Sequence, residues 1–276
     1  MTQERGFLWT IYGRNPANPL KGDGKTARRA SNWLPSYADL QSLIHAAWRS
    51  WRHWHPGEHG VVVDHGGSLS GPDRDLLSRL NIGVIVPQVT FDTPSTLNKL
   101  VSLAHSPWPL TLHVDLDIVW TANAHPIWET PGDWDLAGVD MPYGHAYPDG
   151  IQKNWGIVND GTPRIPCACV LLCRLRPAVL LALADLALPG EWSDEVLMAR
   201  AEINGNLRLG RIPTRFVWDT WEGSGWQLSY CPQLHHWKTV SPDGHHDPIA
   251  LHWGGDHGKR KALASVDLAH YLASLP

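Results

Sequence analysis

Over the first 120 residues, short apolar stretches alternate with helical ones, and this limits the possible folds more than any other feature. Phe7 to Tyr12 is rich in β-branched and aromatic residues and stops at Gly13, so it reads as a strand. Tyr37, Leu40, Leu43, Ile44, Ala47, Trp48 and Trp51 then recur at helical spacing behind Pro35 and Ser36, the serine being a candidate cap. Gly60 to Asp64 reads as a strand, Pro72 to Leu80 as a helix, Ile82 to Val86 as a strand and Ser95 to Ala104 as a helix. Such a series builds a mostly parallel sheet with right-handed crossovers, which holds ligands beyond the carboxyl ends of its strands. The predicted class is α/β.

The next stretch, Leu110 to Thr121, brings chemistry to such an end. Leu112, Val114, Leu116 and Ile118 fall on even positions while His113, Asp115 and Asp117 fall on odd ones, the period of a single strand. Both carboxylates should then leave one face near the strand's end. Two acids that close repel and raise each other's pKa unless a cation lies between them. A divalent metal meets that need; the alternative is a pair of strand-end caps or salt-bridge partners.

Beyond residue 120 the pattern is less regular, with Gly132, Pro142, Gly144, Pro148, Gly150, Gly156 and Gly161 predicting loops that build a pocket. Cys167 to Leu175 reads as a strand and Pro177 to about Leu186 as a helix. A further helix starts at Ser193, with Asp194 and Glu195 as an acidic first turn. Arg211 to Trp218 and Pro248 to Trp253 read as late strands and Lys259 to Leu272 as a terminal helix.

With 276 residues, 43% of them hydrophobic, a sizeable core is feasible, and a formal charge of −4 gives no electrostatic reason to expect nucleic acid or an anionic membrane as partner. The opening Met-Thr-Gln-Glu-Arg-Gly lacks a secretory layout and no apolar run reaches the roughly 18 residues of a spanning helix, so a cytoplasmic protein is expected. Cys167, Cys169 and Cys173 are too close to staple distant loops; as odd-numbered residues they should share a strand face with Leu171 as small core residues, a metal or redox site being the alternative. The 16 tryptophans fill cores or stack on sugars, with Trp218, Trp221, Trp226 and Trp237 as a possible acceptor platform. His53, His55 and His59, or His235, His236, His245 and His246, invite a zinc reading but lack the spacing of a structural site. Arg14 to Arg29, with Lys21, Lys25, Arg28 and Arg29, suits a flap over an anionic ligand or a solvated surface loop.

The acidic pair, Ser-Asp-Glu-Val-Leu-Met at 193–198, Ile-Pro-Thr-Arg-Phe-Val-Trp at 212–218 and Leu-His-Trp-Gly-Gly at 251–255, taken in that order, resemble retaining glycosyltransferases of the GT-A fold, family 8 most closely. The resemblance implies a single α/β domain, with residues 1–120 as its nucleotide-binding half and 121–276 as its acceptor-binding and catalytic half. It implies a nucleoside-diphosphate sugar as donor, a UDP-sugar in particular, with an unidentified acceptor and Mn2+ (or Mg2+) as cofactor. Asp115, Asp117 and His252 would be the metal ligands, and Asp115, Tyr12, Gly255 and Lys259 would contact the donor. Asp194 and Glu195 would be the catalytic pair; Trp192, Asp194 and Glu195 resemble the Trp-x-Asp-Glu of family 6, whose glutamate faces the anomeric carbon, while capping a helix is their plainer role. Cys167-Ala168-Cys169 stands where family 8 has Asn-x-Gly.

Two other readings compete. Asp115-Leu-Asp117-Ile-Val119 fits the Asp-x-Asp-x-Val/Thr signature of haloacid-dehalogenase phosphatases, although that family carries it on the first strand. A non-catalytic nucleotide-sugar-binding protein on a degenerate transferase scaffold is the third.

Overall fold

The computed structural model describes residues 4–12, 37–87, 98–140, 167–174, 176–186, 194–219, 227–241 and 244–275. The first part follows the predicted alternation: β1 (Arg5–Ile11), α1 (Tyr37–Trp54), β2 (Gly60–Asp64), α2 (Gly71–Arg79), β3 (Gly83–Ile85), α3 (Asn98–Ala104) and β4 (Leu110–Val114). The second part runs β5 (Ile118–Trp120), α4 (His125–Trp128), β6 (Leu136–Val139), β7 (Cys167–Cys173), α5 (Pro177–Asp185), α6 (Asp194–Ile203), β8 (Leu209–Ile212) and β9 (Val217–Asp219). It ends with β10 (Gln227–Cys231), β11 (His236–Ser241), β12 (Gly244–His246), β13 (Ala250–His252), α7 (Gly255–Ala264) and α8 (Val266–Ser274). The predicted flap at 14–29 and most of the predicted pocket loops between 141 and 166 lie outside the described residues.

A seven-stranded sheet in the order β3-β2-β1-β4-β7-β6-β8 forms the centre. It is mostly parallel; only β7 runs against its neighbours, β4 and β6. The chain moves outward from β1 to β3 and returns to place β4 on the other side of β1. That reversal makes the carboxyl ends of β1 and β4 a topological switch point, where an open α/β sheet leaves a crevice. Tyr12 follows β1 and Asp115 follows β4.

Aromatic packing holds this part of the sheet. Phe7 on β1 meets the rings of Trp51, Trp120 and Trp128 edge-on at centroid distances of 5.4, 5.7 and 5.2 Å. Trp9, Trp48, Trp51 and Trp120 are fully buried, and Trp218 and Trp237 lie in a second core under α7 and α8, so these tryptophans pack rather than form a platform. Trp221 and Trp226 lie outside the described residues.

Several sequence expectations are corrected. The stretch Leu110 to Thr121 is not one strand. Asp115 N–H closes the ladder on Cys169 O at 2.9 Å, Ile118 N–H then turns back to Asp115 O at 3.3 Å, and β5 leaves to pair with β13 in a separate three-stranded sheet. A tight turn followed by a buried strand keeps apolar residues on even positions, so alternation alone does not reveal it. The three cysteines do not share a face either: the register between β6 and β7 shifts at Gly138/Val139. Cys167 and Cys169 pack in the main core with Val170 and Leu172, while Cys173 packs with Leu171 and Ala168 in another.

The predicted strand Arg211 to Trp218 breaks at Pro213 into β8, a 3-10 turn at Thr214–Phe216 and β9. The predicted terminal helix is two, because Ser265 takes an extended conformation after α7 and its hydroxyl caps α8 by accepting from Leu268 N at 3.1 Å. The seven histidines considered for zinc do not gather: among the described residues no metal-capable group includes any of them. His55 instead pins α1 to α4, its Nδ1 2.9 Å from Trp51 O and its Nε2 accepting from Ala124 N at 2.9 Å. Burial pushes its pKa down to about 4, so the ring is neutral.

Candidate active site

Five elements meet at the switch point. β4 delivers Asp115 and, through the turn, Asp117; α3 supplies Lys99, the first turn of α6 supplies Asp194 and Glu195, β13 ends on His252, and α7 carries Lys259. A backbone bond from Trp253 N to Asp117 O at 3.1 Å ties the end of β13 to the acidic turn.

Asp115 and Asp194 share a buried cation. Lys99 Nζ lies 2.8 Å from Asp115 Oδ1 and 3.2 Å from Asp194 Oδ2, and it donates to Ala168 O at 3.1 Å. Burial alone would lower the lysine's pKa, but the two carboxylates outweigh it and hold the ammonium charged. Asp115 is pushed up to about 6, because burial and the repulsion of Asp117 outweigh the attraction of Lys99. Lys99 answers two acids, while Asp115 has only a share of one lysine and lies beside another acid. Lys99 is the residue that sequence reasoning missed. Its signal is a single charged residue in the otherwise uncharged stretch Asn98–Ala104, which the structure buries along with Asn98, Leu100, Val101, Ser102 and Leu103.

Asp117 is held from the other side. Burial raises its pKa, but Lys259, whose Nζ is 2.8 Å from Oδ2, and His252 outweigh this and hold it below the ordinary carboxylate value. His252 Nε2 stands 3.5 Å from Asp117 Oδ1, beyond a good hydrogen bond, and that buried oxygen makes none among the described residues. The imidazole lies over Gly254, where a Cβ would come within 2.5 Å of its Cε1, so only glycine leaves the ring this position.

Two more groups border the cluster. Tyr12 is pushed up to about 12 by burial, with Asp115, Asp194 and Asp117 adding to the rise and Lys99 opposing it. Its phenol stays protonated through neutral pH. Glu195 Oε1 accepts from Ala168 N at 3.0 Å, between Cys167 and Cys169. Behind the site His113, kept neutral by burial, stands with Nε2 2.9 Å from Thr10 Oγ1 and takes no part in the ligand cluster.

Of the residues singled out from sequence, Asp115, Asp117 and His252 converge, with ligand atoms all within 4.8 Å of one another. Tyr12 and Lys259 lie against them, and Gly255 begins α7 three residues after His252. Two carboxylates and an imidazole form the donor set that manganese accepts, oxygen-rich with one nitrogen, and magnesium accepts the oxygens. The unbonded Oδ1 of Asp117 facing His252 fits such an ion.

No family model matches the sequence, and no curated protein matches it. Solved structures do resemble it. The galactosyltransferase LgtC, crystallised with donor and acceptor sugar analogs, matches with a TM-score of 0.56 and 16% identity over 98% of this chain and 96% of that one. A variant of LgtC with an active-site glutamine replaced by glutamate gives 0.55 and 16% over 97% and 95%. WbbM, a bifunctional glycosyltransferase, gives 0.54 and 12% over 98% of this chain and 50% of its own. The likeness is one of fold: the chain has the α/β GT-A fold with a mostly parallel central sheet.

Proposed function

We propose that the chain is a metal-dependent retaining glycosyltransferase that moves a sugar from a nucleoside-diphosphate sugar, a UDP-sugar in particular, to an acceptor. One observation carries this reading: the unbonded, buried Oδ1 of Asp117 faces His252 beside Asp115, at the switch point of a GT-A sheet. Residues 1–120 would hold the nucleotide, and 121–276 would supply the acceptor surface and the catalytic pair.

Asp117 and His252, with Asp115, would hold Mn2+ or Mg2+. When bound, the ion supplies neutralisation of the charge that grows on the departing diphosphate. The chain's own residues do the rest. Lys259 adds a positive charge on the same side, and the amino end of α7, starting at Gly255 without a side-chain cap, directs backbone N–H groups of the kind that suit phosphate. Tyr12 contributes a neutral phenol that can donate to the nucleotide. Lys99 holds Asp115 and Asp194 in place at the edge of the crevice. Glu195, steadied by Ala168 N–H, faces the anomeric centre as nucleophile or as stabiliser of an oxocarbenium-like state.

A haloacid-dehalogenase phosphatase would carry the acidic pair on its first strand, whereas here it follows β4. The deciding experiment offers the protein a panel of nucleotide sugars, and separately p-nitrophenyl phosphate, with and without Mn2+. Metal-dependent release of a nucleoside diphosphate from one donor is the expected result. Hydrolysis of the phosphate ester, or donor binding without turnover under all conditions, would overturn the proposal in favour of a phosphatase or a binding protein respectively.

A further inference from the structure

The imidazole of His252 has a second set of neighbours. The Sγ atoms of Cys167 and Cys169 and a ring nitrogen of His252 also lie within 4.8 Å of one another, and all three residues are buried. The shifted register of β7 gives this arrangement, since it leaves both thiols on the main-core side while Cys173 faces away. In a tetrahedral zinc centre with Zn–S near 2.3 Å and Zn–N near 2.0 Å, neighbouring donors stand about 3.5–3.8 Å apart. Modest side-chain rotations therefore close the set.

We propose that Cys167, Cys169 and His252 form a site for a thiophilic divalent cation of the zinc class, and that this cation competes for His252 with the hard cation of Asp115 and Asp117. Binding makes two Zn–S bonds and one Zn–N bond and releases two thiol protons to solvent, so the buried centre ends electrically neutral. Neutrality suits the location, where burial penalises net charge. Water in the fourth position keeps the centre neutral, and Glu195, whose Oε1 is held at Ala168 N between the two cysteines, borders it as a hydrogen-bond acceptor.

Softness separates the two sets. Thiolates select zinc over manganese and magnesium, while carboxylate-rich sites suit the hard ions. A neutral imidazole offers a single lone pair, so unless it loses its second proton to become a bridging imidazolate, a bound zinc ion withdraws a ligand from the Asp117 side. The thiolate site stands by itself; the competition rests on reading Asp117 and His252 as metal ligands.

Cobalt(II), added alone to the phosphine-reduced protein, tests the site by spectrum. One equivalent should give an intense near-ultraviolet thiolate-to-cobalt charge-transfer band and strong visible bands of tetrahedral geometry, and one equivalent of Zn2+ should bleach both. Cys167→Ser/Cys169→Ser should lose these bands with an unchanged circular dichroism spectrum, while Asp117→Asn and Cys231→Ser should retain them. A wild-type protein giving only the weak visible bands of octahedral cobalt would overturn the site, independently of how any variant folds. So would bands that persist in the double variant. For the competition, one equivalent of Zn2+ should weaken Mn2+ binding to the wild type at least about tenfold, and unchanged Mn2+ binding would overturn that part alone.

Discussion

Asp115 and Asp117 leave the same turn, yet the regions on either side of it hold them differently. On the inner side Lys99, reaching in from α3, spends its charge on Asp115, Asp194 and Ala168 O, and the acids are bound into the fold. On the outer side Asp117 takes one contact from Lys259 and keeps an oxygen without a hydrogen bond opposite His252. The inner region holds its acids in ion pairs, and the outer one leaves a carboxylate oxygen without a hydrogen bond among the described residues. The difference teaches that an Asp-x-Asp pair need not share its work equally: one acid can be mainly anchored while the other stays available.

Removing the inner cation should have the largest effect. Lys99→Met leaves two buried carboxylates without their lysine, and breaking a buried pair costs about 3–5 kcal/mol. Chemical denaturation should show a loss of that size, well above the loss for Lys259→Met on the outer side. Equal losses would break the comparison. A smaller effect, on rate rather than stability, is expected from Glu195→Gln. Its benefit should appear mainly in the transition state, so kcat for donor turnover should fall about 100-fold, equivalent to roughly 2.7 kcal/mol, with donor KM changed less than about threefold. An unchanged kcat would reduce Glu195 to a backbone pin for Ala168.

The fold class was legible because its signals are local. Apolar runs and helical spacing depend only on near neighbours, and the α/β series follows from them. The residue types at Asp115, Asp117 and His252 were legible too, and the structure brings them within reach of one another. What escaped depends on partners far along the chain. The turn after Asp115 exists because β5 finds β13, more than a hundred residues later. Lys99 matters through Asp194, whose carboxylate approaches only once α3 and α6 are in place. The split of the cysteines between two cores follows a register shift against β6, a strand that the predicted loop region hid. The hairpin sheet of β10 to β12 had no counterpart among the predicted elements.

On the proposed reading, the outer region holds a divalent cation through Asp117 and His252. The most direct test is a titration with Mn2+ followed by the electron paramagnetic resonance of the free ion, in the presence of UDP, on the wild type and on Asp117→Asn. One ion should bind the wild type, with an affinity about tenfold weaker or more, some 1.4 kcal/mol, in the folded variant. Equal affinity in the two proteins, with matching circular dichroism, would contradict it.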